Sequence, residues 1–423
     1  MKSFKGAIST IAIAALCYSA PSAAQERGDF QRLKGRFTEK IVRQANTGPG
    51  GFLELATERG NIEVATWDSG HVRLEVEKRV KVSSDAEARE IFEDFAVYLS
   101  REDNEVYIRA ESQEEREHNS LRVDFKLTVP QKYGIDVSTS GGNVSIGRLD
   151  GDVKAKTSGG NIKVDHIGDG SVDVQTSGGN IDLKGIAKGN GRAQTSGGNV
   201  SVGDVQGDLH VQTSGGTIKM GRVGGAVEAQ TAGGSISLEE AGGGVKVQSA
   251  GGSIHIGPSG SAVEVQTAGG SIHIGPSRGK IKAQTAGGSI EVEGSGGPVE
   301  VQTAGGNVRI DSARGAIEAQ TAGGSIEAKL LISEKKADTH CDLETIGGDV
   351  TIHLPGVLAA TIDAELEIRR RVGGDYRIYS DFPLVIKDED SNRISGRGDI
   401  NGGGDLIKLR TTNGDIHIRL LRQ

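Results

Sequence analysis

Residues 263–280 read VEVQTAGGSIHIGPSRGK, residues 281–298 read IKAQTAGGSIEVEGSGGP, and residues 299–310 read VEVQTAGGNVRI. The shared core is the motif T-[SA]-G-G-[NST]-[IV]. Followed outward, it begins at Thr139, Thr157, Thr176, Thr195, Thr213, Thr231, Ser249, Thr267, Thr285, Thr303 and Thr321. The steps are 18 residues, except two of 19 between Thr157, Thr176 and Thr195. A fixed period of this length is the signature of a solenoid, in which each repeat buries its apolar face only against its neighbours.

Within one repeat, Lys280-Ile281-Lys282-Ala283-Gln284-Thr285 alternates, and so does Ser289-Ile290-Glu291-Val292. Alternation with β-branched residues between glycine clusters is the half-buried strand pattern. Each coil is expected to hold two short strands and two tight turns, Ala286-Gly287-Gly288 and Glu293–Gly297. Paired glycines suit turns that need φ > 0. The reading is an all-β parallel β-helix, a β-solenoid of about 18-residue coils.

Aligned coils sort inside from outside. Ile254, Ile272, Ile290, Val308 and Ile326 form one inward column, and Val245, Val263, Ile281, Val299 and Ile317 another. An outward column reads Lys154, Asp173, Arg192, His210, Glu228, Lys246, Glu264, Lys282, Glu300, Glu318. Opposite charges on stacked neighbours attract by a few tenths of a kcal/mol, at about 0.3 kcal/mol per exposed pair. A column of glutamines from Gln175 to Gln320 offers an amide ladder along the rod. Gly191 interrupts an inward column beside the 19-residue steps, and a bulge is expected there. The stretch AGGSIHIGPS occurs at 250–259 and again at 268–277, which marks a tandem duplication.

The same register returns at Thr57–Val64, Thr345–Val350 and Thr411–Ile416, so the flanks are expected to be coils of the same body. One helix is expected, from Asp85 to Leu99. Ser84 and Glu87 form its capping box, and Ala88, Ile91, Phe92, Phe95 and Leu99 its apolar face. It would cover the N-terminal end, where open strand edges invite aggregation. The segment Asp363–Asp399 breaks the period and is expected to cover the other end. The chain thus divides into 1–24, 25–134, 135–328 and 329–423.

Residues 1–24 read as a signal peptide. Lys2 and Lys5 are basic, residues 7–16 are apolar, and Ser22-Ala23-Ala24 precedes Gln25. Ala15-Leu16 before Cys17 lacks the small residue a lipobox wants, so ordinary cleavage is favoured. The expected location is therefore the periplasm or the cell surface, with no membrane span. Removing the peptide leaves 47 basic against 57 acidic residues, a net charge of −10. That disfavours nucleic acid as a partner. Cys341 is then the only cysteine, so no internal disulfide forms.

Candidate sites are few. His255, His273 and Glu291 occupy equivalent outward positions on adjacent coils and have the residue types of a zinc site, yet the duplication explains the paired histidines. The glycine turns lack the aspartate of calcium-binding repeats. Asp165-His166 and Asp338-Thr339-His340 read as surface pairs. Arg369-Arg370-Arg371 reads as a solvated strand edge. Flat outward ranks of threonine would suit ice binding, but this threonine column shares parity with the inward valines. No aromatic residue lies between Tyr133 and Tyr376, so the shaft offers no sugar-stacking platform. Trp67 and Asp363–Asp399 are the places where aromatic and charged residues coexist. No catalytic, cofactor or metal residue is assigned.

The Asn/Gly turn motifs carry a resemblance, joined by Ile62–Trp67 before the acidic helix, Val129-Pro130 before the first coil, and Asn401–Gly404 leading to Thr411–Ile418. The chain resembles a family of exported bacterial proteins with a domain of unknown function and a β-strand repeat, labelled "putative adhesin". The resemblance covers residues 50–423 and implies a β-helical exported protein. The function expected is a non-enzymatic envelope or surface interaction module whose partner is a cell-surface glycan or envelope protein. The alternatives are a polysaccharide-active β-helix enzyme and a periplasmic self-associating scaffold.

Overall fold

A computed structural model describes residues 25–33, 36–114, 120–332, 338–369, 376–390 and 392–421. The signal-peptide reading of residues 1–24, Cys17 with it, lies outside these residues, as do Arg370 and Arg371.

The array folds as two parallel sheets joined coil by coil. One sheet passes through Val153–Thr157, Val172–Gln175, Gly191–Gln194 and Leu209–Gln212; the other passes through Ile162–Ile167, Ile181–Ile186, Val200–Val205 and Ile218–Val223. The inward columns Ile254 to Ile326 and Val245 to Ile317 hold register, and their members are at most 3% exposed. Burying each such side chain contributes about 1.5–3 kcal/mol. The coil is not simply two strands and two turns. Its second turn carries a third inward position, where Ala241, Ser259, Ser277, Ser295 and Ala313 are buried and bridge coil to coil.

The motif threonines point inward and tie coils together. Thr157 Oγ1 donates to the Gly142 carbonyl of the preceding coil at 2.8 Å and accepts the Gly160 amide at 3.3 Å. The contact recurs up the rod, for example from Thr303 to Gly288 and from Thr321 to Gly306. Beside it runs a second ladder. The Asn143 side chain accepts the Asn161 amide and Asn161 that of Asn180, each at 2.8 Å; Ser253, Ser271 and Ser289 play the part in later coils, and Asn307 resumes it. The glutamine column forms less than the sequence offers. Among the described residues, one amide pair, Gln194 to Gln212, is bonded at 3.2 Å.

The paired glycines have a different reason from the one expected. None of the motif glycines of the array adopts positive φ. The second glycine is required by stacking: a Cβ on Gly160 would lie 1.9 Å from the Gly142 carbonyl oxygen. The first is less crowded: a Cβ on Gly141 meets nothing within 4 Å, while in the central coils one on Gly287 would lie 3.1 Å from the Gly269 carbonyl oxygen.

Both ends depart from chain order. Gly51–Thr57 and Asn61–Trp67 form a coil that pairs directly with the array through Tyr133–Thr139 and Val144–Ile146. Glu105–Ser112 and Arg122–Pro130, later in the chain, stack outside it. At the other end Asp405–Thr412 and Ile416–Leu420 pair with Cys341–Thr345 and Val350–Leu354, while Ala360–Glu367 and Ile378–Ser380 lie outside them. Two coils thus precede the eleven of the array and three follow it. At about 4.8 Å per step the stack is roughly 70 Å long.

Beyond the outermost coils the pairing turns antiparallel. His71–Val80, Arg36–Asn46 and Asp29–Leu33 extend one sheet, and Phe95–Glu102 the other. Arg393–Ile400 and Val385–Asp390 do the same at the C-terminal end, where Tyr376 and Phe382 pack against the core. The segment Asp363–Asp399 is therefore part coil and part hairpin.

The helix runs Asp85–Asp94 and stops short of the expected Leu99. Ser84 caps it by accepting the Glu87 amide at 3.2 Å, while Glu87 reaches back to the amide of Ser83. Phe95 and Leu99, four residues apart, satisfy helix and strand spacing alike, while Val97 between them fits only the strand. Pairing with Glu105–Ser112 decides for the strand. Ala88, Ile91 and Phe92 are buried at the N-terminal end of the core. Lys78 is buried beneath the helix. Its ammonium donates to the Phe92 and Phe95 carbonyls at 2.8 and 2.6 Å and pairs with Glu39 at 2.9 Å.

Candidate functional site

The two 19-residue steps place their extra residue in one turn. Leu149 to Val153 spans Asp150-Gly151-Asp152. The next two coils insert Gly168–Ser171 and Ala187–Asn190 between the same register points. Gly170 and Gly189 absorb the added residue at φ 138° and 119°. The strand that follows has no bulge at Gly191, contrary to the expectation. A Cβ there would lie 2.9 Å from Leu209 and 3.2 Å from Ile186, whose side chains fill the space. The one register shift of the shaft lies instead between Ile310 and Ala313.

These irregularities border a groove of about 500 Å³ on the outer face of the same sheet. Ile135, Val153, Val172 and Gly191 form its floor. Asp136, Lys154, Asp173 and Arg192 stand along one side, with Asp152, Ser171 and Asn190 along the other. The second wall is low because its side chains are tied down along the rod. Asp152 accepts the Ser171 amide at 2.8 Å, Ser171 the Asn190 amide at 3.3 Å, and Asn190 the Asp208 amide at 2.9 Å.

Phe52 closes the N-terminal end of the groove. It pairs with Gly134, where a Cβ would come within 2.9 Å of its ring. An aromatic residue therefore does flank the shaft, because its coil is threaded out of chain order. The sequence carried half of the signal: Thr57 and Thr139 share the motif register, which sets Phe52 opposite a glycine once the two coils are known to be neighbours. Lys154 bonds Asp136 at 2.6 Å. That bond holds the lysine above its usual value, with Asp173 and Glu54 adding to the effect.

The residues singled out in the sequence do not meet here. The His255 and His273 rings stack in parallel, 4.7 Å apart, and His273 reaches Glu291 and Glu293 at 3.2 and 3.1 Å. In-plane lone pairs of parallel rings do not converge on one ion. No group of three ligating side chains suited to a metal occurs among the described residues. Asp165 and His166 bond each other at the surface. Thr339 bonds Asp405, and His340 bonds Asp338. Arg369 is engaged with Glu367. Trp67 donates to the His71 carbonyl at 2.8 Å and lies against its ring. Cys341 is buried, which pushes its thiol up to about 12.

The model of the Toastrack DUF4097 family matches residues 53–293 and 259–419, which takes in the array, most of the out-of-order coils and every groove residue except Phe52. The chain belongs to this family. Solved structures similar to this Toastrack chain include a "putative adhesin" from Bacteroides fragilis, 16% identical, which pairs 75% of this chain with 97% of its own at a TM-score of 0.20. A "putative cell adhesion protein" from Clostridium sporogenes is 8% identical over 91% of this chain and 100% of its own, with a TM-score of 0.16. A "putative lipid binding protein" from Parabacteroides distasonis is 12% identical over 74% and 96%, with a TM-score of 0.21. No curated protein matches the chain. No helix among the described residues of this Toastrack protein is long and apolar enough to cross a membrane.

Proposed function

We propose that this Toastrack chain is an exported, non-enzymatic interaction module of the cell envelope or surface. The observation that supports this most directly is the groove itself. It is laid on a stack of coils whose backbone is paired along the rod, so it is preformed and long rather than deep. Two of its three carboxylates already have a protein partner, Asp136 the Lys154 ammonium and Asp152 the Ser171 amide, each with acceptor capacity left over. A surface of this kind suits holding an extended partner. The division at 25–134, 135–328 and 329–423 belongs to the same proposal, with the flanks as end coils and caps.

The polysaccharide-active alternative has one observation in its favour, since Asp136, Asp152 and Asp173 share the groove with Phe52. Two assays separate the readings. Protease treatment of a C-terminally tagged copy should cleave it in intact cells if the rod stands outside, and only after permeabilisation if it lies in the periplasm. Protection after permeabilisation as well as before it would count against export. Incubation of the purified chain with cell-wall glycan should release no new reducing ends; their release would replace this reading with the enzymatic one.

A further inference from the structure

Three departures from an otherwise uniform array coincide at one place. The two 19-residue coils, the positive-φ glycines Gly170 and Gly189, and the glycine that replaces an inward side chain at Gly191 all adjoin the groove. Extra residues in a solenoid turn do nothing for the core, because the inward columns on either side keep their register. What they change is the groove's low wall, where Ser171 and Asn190 follow the inserted residues.

The lining selects the chemistry of what fits. Along the tall side the order is Asp136, Lys154, Asp173, Arg192, so each cation stands next to an acid. Polyanions such as nucleic acid or phosphate-rich polymers need cations in excess, which this row lacks. A peptide strand would need free backbone groups. The floor amides of Ile135, Val153, Val172 and Gly191 are all spent on Asp152, Ser171, Asn190 and Asp208 at 2.8–2.9 Å. What remains is a strip of alternating donors and acceptors, repeating about every 4.8 Å, with an aromatic ring at one end. Such a strip complements a chain of hydroxyl groups whose sugar faces stack on aromatic rings.

We infer that the groove from Phe52 to Arg192 binds a linear, uncharged glycan lying along the rod axis. Phe52 stacks on a terminal sugar, and Asp136, Lys154, Asp173 and Arg192 bond successive hydroxyls. This assignment rests on the reading of the chain as an envelope interaction module and names the ligand class of that site.

The test is isothermal titration of the signal-cleaved chain with cellotetraose and N-acetylchitotetraose, with tetragalacturonate as the anionic probe. At least one neutral probe should bind saturably. Phe52→Ala should weaken it about tenfold, the scale of one aromatic contact. Ser171→Arg, which fills the groove from an exposed turn, should abolish it. Lys163→Ala on the opposite sheet should leave it unchanged. Unaltered melting temperatures show that each variant is folded. Failure of both neutral probes, preference for tetragalacturonate, or binding untouched by Phe52→Ala and Ser171→Arg would overturn the assignment. Co-sedimentation with isolated cell-wall glycan separates the two levels. If wild type and groove variants sediment equally, the groove assignment falls and the interaction module stands; if none sediments, the module reading falls too.

Discussion

The Thr285 hydroxyl donates to the Gly270 carbonyl of the preceding coil at 2.8 Å and accepts the amide of Gly288 in its own coil at 3.4 Å. One side chain thus satisfies two backbone groups in a part of the coil where the sheet ladder is interrupted by a turn. Thr285→Val keeps the shape and removes both bonds. It should cost about 1–3 kcal/mol, the penalty for leaving buried polar groups unmade. Thr285→Ser should cost less, because Ser249 makes the same contacts in its own coil. Urea unfolding of the two variants gives the comparison.

Alanine should be tolerated least at the second glycine of a central turn and best at the first glycine of the first coil. A Cβ on Gly288 would stand 2.2 Å from the Gly270 carbonyl oxygen and 2.5 Å from the Ser271 nitrogen, and both are backbone atoms that cannot swing away as a side chain would. Gly288→Ala should destabilise the rod by several kcal/mol, above the roughly 1–3 kcal/mol of ordinary overpacking. Gly141→Ala meets open space at ordinary φ and should be neutral or stabilising, by up to about 1 kcal/mol. Thermal melts of both variants decide whether stacking or backbone conformation fixes these glycines.

Lys78 is a buried cation held by Glu39 and by carbonyls at the end of the helix. Lys78→Met should leave Glu39 unpaired at a mostly buried site and cost about 3–5 kcal/mol, the usual cost of breaking one half of such a pair. The loss should be local. Hydrogen exchange should accelerate in Asp85–Asp94 and Arg36–Asn46 while the central coils stay protected, since solenoid stability is held between nearest neighbours.

Hydrogen bonds from the Thr339 amide and hydroxyl hold Asp405 below its ordinary value of 3.8. A lowered carboxylate binds fewer protons in the folded state. Its contribution is complete above its unfolded value and is lost as pH falls below it. Melting temperature should therefore drop below about pH 4. Asp405→Asn should lower the melting temperature at neutral pH and flatten part of that acid dependence.

The shaft was legible because every coil repeats one local rule, from Ile281 and Ile290 inward to Lys282 and Glu291 outward. The ends were not, because Gly51–Trp67 and Glu105–Pro130 obey the same alternation, and nothing local says which lies next to Tyr133. Only pairing across the sheet settles it, and that pairing carries Phe52 to the groove. Lys78 was legible in part. It shares parity with Val72, Leu74, Val76 and Val80, which marks it as inward without naming Glu39 as its partner. The glycines were read as residues of turns that need φ > 0, and the motif glycines of the array have none; the carbonyl of the coil below, which excludes a Cβ at the second glycine, leaves no trace in the sequence of the turn.

The out-of-order coils also set how such a rod can change. Each tip is closed by a coil reached through a long excursion of the chain, so new length cannot be added there without rebuilding the closure. In the middle the rule is different. The identical ten-residue stretches 250–259 and 268–277 lie one coil apart, in the same place in the repeat. Recombination within the gene that inserts eighteen codons lengthens the rod by about 4.8 Å and leaves both closures and the groove intact. An array built on one rule per coil can change its span in units of one coil, while the surface near its N-terminal tip keeps its place.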